Sequence, residues 1–173
     1  MAQQRALIIT EKFVKSNSEI DANVDMNLIR PTIWYCQKEY IEKSLGTALY
    51  NDICTKIIAD STLATHTDIL NLVNNYLADA LLKWVMFEIQ VPLLYKFRNK
   101  STSTNTDANS QPIDLKTLQF LENKYKDKAQ YFTQRMEKFL CANSTLFPLW
   151  DDCIDGGVDK QDTKPTTSLF LYP

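Results

Sequence analysis

The stretch from Asp68 to Phe97 constrains the fold more than any other part of the chain. Apolar residues recur there at Ile69, Val73, Tyr76 or Leu77, Ala80, Trp84, Phe87, Val91 and Leu94, in steps of three or four that keep them on one helical face. Leu70, Leu72, Leu81, Val85, Met86 and Ile89 widen that face well beyond a stripe, so a helix here needs protein on several sides. Fully helical, it would run roughly 45 Å at 1.5 Å per residue, longer than a compact domain of this size is wide. Pro92 removes one backbone bond and crowds the preceding turn. A kink or an end is therefore expected near Ile89 to Gln90, with the pattern continuing through Leu94, Tyr95 and Phe97. Asp79, Lys83, Glu88 and Gln90 interrupt the stretch at intervals that a bilayer would penalise, which argues against a membrane span.

The rest of the chain supports an all-α reading: a bundle of about four helices around this central one, with extended arms at both ends. Only three glycines occur in 173 residues, too few for a turn-rich β fold or a Gly-rich nucleotide loop. A hydrophobic share of 45% is enough for a real core. The net charge of -2 and pI of about 5.4 leave no general basic field for gripping phosphate backbones. The apolar run from Ala6 to Ile9 is too short for a signal core or a span, so a soluble protein made inside the cell is expected.

In chain order, residues 1–26 read as an N-terminal arm. Leu7 to Val14 is β-leaning or extended, and the SNSEIDANVD stretch is rich in residues that bond their own backbone. A helical domain over 27–141 follows. Asp25 caps its first helix, Pro31 falls near the first turn, and Leu28, Ile33 or Trp34, Cys36 or Gln37, Tyr40, Ile41 and Leu45 face inward. Gly46 stops this helix in the left-handed conformation. Thr47 caps the second, which buries Leu49, Tyr50, Ile53, Cys54, Ile57 and Ile58. Thr67 or Thr65 caps the central helix. Residues 98–113, mostly Ser, Thr, Asn, Asp and Gln, read as a mobile polar loop. Asp114 then caps an amphipathic last helix to about Cys141, with Leu115, Leu118, Leu121, Tyr125, Ala129, Phe132, Met136 and Phe139 packed toward the central helix. Residues 142–173 lose periodicity and end in SLFLYP, an apolar tip costly to leave in water, so they read as a C-terminal docking tail.

Nothing in these residues builds an enzyme. The single histidine, His66, sits in a polar connection with no assignable nucleophile or orienting acid. Cys36, Cys54, Cys141 and Cys153 lack the CxxC spacing of a zinc site and read as small apolar residues in a reducing compartment. Asp151, Asp155 and Gly156 match three positions of an EF-hand loop, but Cys153 and Asp162 occupy the third and twelfth, which makes a polar turn the better reading. No catalytic residue, metal or cofactor is expected. The lysines of the last helix alternate with Glu122, Asp127 and Glu137 as a mixed solvated face.

ITEKFVKSNSEID, then VDMNLIRPTI, then LGTALYNDI resemble the opening of neck proteins from crAss-like and related phages of gut Bacteroidetes. NSTLFPLW near the tail extends the similarity. In outline the chain looks like the tailed-phage head-tail connector adaptors, small helical proteins that form a ring beneath the portal. The resemblance implies a homo-oligomeric ring, typically a dodecamer, bound to the portal protein and to adjacent neck or tail proteins. It further implies proximity to packaged DNA without sequence recognition, no contact with membrane, and residence in the virion after assembly in the host cytoplasm. The alternative is a helical interaction module or assembly factor without a ring. As interface residues, toward a second subunit or the portal, Phe13, Leu146, Phe147, Trp150, Leu169, Phe170 and Tyr172 are the candidates, because buried aromatics dominate binding energies. Equally, they could cover the bundle of their own chain.

Overall fold

The computed structural model describes residues 6–98, 101–104 and 115–150, and they form an all-α fold with one short hairpin. Helix α1 is Glu11–Ser16; α2 is Met26–Cys36, continued by a π turn, Gln37–Ile41, and by α3, Glu42–Leu45. Helix α4 is Thr47–Ala59. Helix α5, Thr67–Leu72, runs through a second π turn, Val73–Leu77, into α6, Ala78–Glu88; α7 is Gln90–Leu94. Strands β1, Tyr95–Arg98, and β2, Ser101–Thr104, pair antiparallel, and α8 is Leu115–Ala142.

The central stretch is helical from Thr67 to Glu88 and breaks where Pro92 requires. Pro92 has no N–H to offer the carbonyl of Glu88, so the helix ends at Glu88 and Ile89 bridges to the short α7. Helix does not continue to Phe97. Tyr95–Arg98 is a strand, paired with four Ser and Thr residues that the sequence places within a mobile loop; β-branched threonines and aromatics suit such a ladder. Residues 105–113 of that expected loop, and the expected cap Asp114, lie outside the described residues.

Asp25 caps α2 as its sequence position predicts, its Oδ1 accepting from the Asn27 amide at 2.9 Å. The other caps differ. Gly46 and His66 occupy the cap positions of α4 and α5, with Thr47 and Thr67 already inside each helix and neither cap offering a side-chain bond. Gly46 has φ 76° and ψ 151°, outside the left-handed helical well and in a region open only to glycine. It therefore turns the chain straight from α3 into α4. Pro31 sits inside α2 rather than in its first turn. In the arm, Ile8 and Ile9 are buried at a bend, and Glu11–Ser16 is helical where the sequence predicts extended chain; Thr10 caps it by accepting from the Phe13 amide at 3.1 Å.

One hydrophobic cluster joins arm and helices. Ile9, Val14, Ile29, Ile33, Ile41, Leu45, Leu49, Ile53, Leu72, Leu77, Leu81, Val85, Ile89, Met136 and Leu140 all belong to it. Helix α6 lies at its centre, buried on several sides as its composition predicts, and packs most extensively on α8. Ile58, expected inside, is exposed, and Cys54 and Ile57 are half-buried at the margin of α4. Helix α4 is thus covered on one side only. No helix among the described residues is long and apolar enough to cross a membrane.

Candidate interaction surfaces

The two π turns set the polar features of the core. Each inserts one residue into its helix, closing with a bond from the Glu42 amide to the Gln37 carbonyl and from the Ala78 amide to the Val73 carbonyl. The extra residue rotates the side chains that follow by about a quarter turn. In the first turn Gln37 points inward and is fully buried. Its Oε1 accepts from the Ile8 amide at 2.9 Å while its Nε2 donates to the Ala6 carbonyl at 3.1 Å. One side-chain amide thus satisfies a carbonyl and an N–H two residues apart, the pair a neighbouring strand would satisfy.

Two further contacts fasten the arm. Arg30 on α2 donates from Nε to the buried Glu11 carboxylate. A hydrogen bond at its own backbone amide and then the Arg30 guanidinium hold that carboxyl below its ordinary range, against the opposing effect of burial. Beyond α1, Glu19 reaches Tyr125 of α8, whose phenol is pushed up first by burial and then by that carboxylate. The arm therefore lies across its own body from α2 to α8.

The helices are keyed together by aromatics from the same π turns. Tyr40 stacks flat on Trp84 at 3.7 Å between ring centroids and donates its hydroxyl to Glu88. The Trp84 indole donates in turn to Thr133 Oγ1 of α8 at 3.0 Å. Burial, then the bond to Glu88, raises the Tyr40 phenol well above its usual range. In the second turn Tyr76 stacks on Phe139 at 4.1 Å, with the Arg135 guanidinium 4.8 Å from its ring. This column links α2, α6 and α8 without a reactive group. Cys36 is buried, and burial pushes its thiol far above the thiolate range, the opposite of an activated nucleophile. Among the described residues no group of three or more His, Cys, Asp or Glu could hold a metal ion.

The candidate interface residues separate. Phe13 is half-buried against the core. Phe147 is buried and meets Phe139 edge-on at 6.0 Å. Trp150 is half-buried, its indole donating to the Ser44 carbonyl at 3.3 Å. These three cover their own chain. Leu146 is exposed, while Leu169, Phe170 and Tyr172 lie outside the described residues, as does the Asp151 to Asp162 segment. Sequence reasoning missed Phe120 and Tyr131, which stand 65% and 64% exposed on α8. Their signal was present: they are eleven residues apart, three helical turns, and off the inward face.

The described residues thus form an all-α domain held by aromatic keys and a tethered arm. Residues 41–159 match the DUF6712 family, a family of unknown function, and the chain belongs to that family. No curated protein and no solved structure matches the chain.

Proposed function

We propose that this protein is a structural virion component, a head-tail connector adaptor that forms a ring beneath the portal, extends the DNA channel and docks the next neck or tail component. The observation that carries the reading is the resemblance of ITEKFVKSNSEID, VDMNLIRPTI and LGTALYNDI to phage neck proteins. The fold supports it by giving those three stretches a common purpose. Glu11 of the first bonds Arg30 of the second, and Gln37, just beyond the second, approaches the Tyr50 hydroxyl of the third at 3.4 Å. The resembling residues thus build one unit, the joint between arm and body. A net charge of -2 suits a DNA conduit, because a strongly basic lumen would hold the duplex by counterion release.

The test is to mix the full chain with the portal protein of the same phage and follow it by light scattering and electron microscopy. Rings of about twelve copies seated on the portal are the expected result. A chain that stays monomeric and ignores the portal overturns the reading, and a one-to-one complex with some other protein would replace it with an interaction module that forms no ring.

A further inference from the structure

The outward side of α8 carries Lys116, Phe120, Lys124, Asp127, Tyr131 and Lys138, all exposed, at spacings that place them on one helical face. Three lysines stand there against a single acid. Between them two aromatic rings are 65% and 64% exposed, roughly 16 Å apart along the axis.

The chain itself contains a segment of matching chemistry. After Trp150 come 23 residues that hold five aspartates against two lysines and then end on Leu169, Phe170, Leu171 and Tyr172. Their starting point is fixed by Trp150, which bonds the Ser44 carbonyl beside the C-terminal end of α8. From Ala142 back to Phe120 is roughly 33 Å along the helix, well within the roughly 76 Å that 23 residues can span. From that exit the acids come first and the apolar tip last, so the first can meet Lys138 and Lys124 and the second can reach the exposed rings.

We propose that the outward face of α8 is the docking site for this chain's own C-terminal segment, residues 151–173, held by its aspartates on Lys124 and Lys138 and by its apolar tip on Phe120 and Tyr131. Covalent linkage supplies an effective concentration in the millimolar range, so a modest contact area suffices for occupancy.

The experiment places a photoreactive benzoylphenylalanine at position 120 or 131 of the full chain and identifies the cross-linked peptides by mass spectrometry. The expected result is an intrachain cross-link to a peptide from 151–173 whose yield does not change on dilution. Lys124→Glu with Lys138→Glu is expected to lower that yield about tenfold, the effect of losing two exposed charge contacts, and the melting temperature guards against misfolding. Cross-links that map elsewhere, that join two chains and vanish on dilution, or that keep their yield in the double variant overturn the proposal, as does capture of nucleic acid in place of the tail.

Discussion

Single residues here carry roles that composition does not announce. Gln37 is one polar group in an apolar interior, and its two arm contacts are what make its burial tolerable. Gln37→Leu leaves the Ala6 carbonyl and the Ile8 amide unpaired and is expected to cost about 1–3 kcal/mol in urea unfolding, with faster hydrogen exchange at Ile8. Leu63 is the second case: it is buried with φ 51°, in the connection before α5. The left-handed conformation costs a side-chain-bearing residue about 1 kcal/mol that glycine does not bear. Leu63→Ala and Leu63→Gly both lose packing, but the glycine variant is expected to be the more stable by about 1 kcal/mol in thermal unfolding, the reverse of their order within a helix. Equal stabilities would remove strain at Leu63 as a factor.

At the scale of elements, the arm with α1 carries a pH dependence of its own. Glu11 is held below its ordinary pKa of 4.5, so the stability it contributes is complete above that value and is lost as pH falls through the lower folded value. The protection of the Ile8 amide against hydrogen exchange, measured relative to the free-chain rate at each pH, is expected to fall as the solution is acidified below pH 4.5, and Glu11→Gln should flatten that dependence; an unchanged profile would detach the arm from this carboxylate. Most helices were legible from spacing alone, because burying one face imposes a period that survives in the residue order. The inward sides of α6 and α8, the Asp25 cap and the break at Pro92 follow in this way. The π turns do not, since each half of the helix keeps its own apolar period on either side of the inserted residue, and the benefit of the quarter-turn shift lies in a partner on another helix. The caps at Gly46 and His66 escaped notice because threonine, the stronger cap by preference, stands one residue further on in both places.

For the whole molecule, the packing of Phe147 and Trp150 decides how the tail is tested. Phe147 belongs to the core and Trp150 is tied to Ser44, so ending the chain after Asn143 removes packing as well as any docking segment. That cut is expected to lower stability by about 3 kcal/mol or more, as loss of a buried phenylalanine does, whereas ending after Trp150 should leave the melting temperature within a few degrees of the full chain. Calorimetry of the two truncations separates these contributions, and equal melting temperatures would place Phe147 outside the core. Only the second cut allows ring assembly to be tested without disturbing the fold.

From its sequence alone the protein is a helical domain with a central apolar helix, an amphipathic last helix and a glycine corner at position 46. These properties are local: periodicity, a capping carboxylate, a missing amide and a positive φ each act within a few residues of their cause. Only the tertiary structure decided that Phe147 turns inward while Leu146 faces water, that Gln37 holds the arm, and that Tyr40 and Tyr76 lock α6 and α8. Those outcomes depend on which side chains meet across 29 residues from Ile8 to Gln37 or 48 from Tyr40 to Glu88. Contacts at such separations are selected by the packing of the whole core, which no short window of sequence contains.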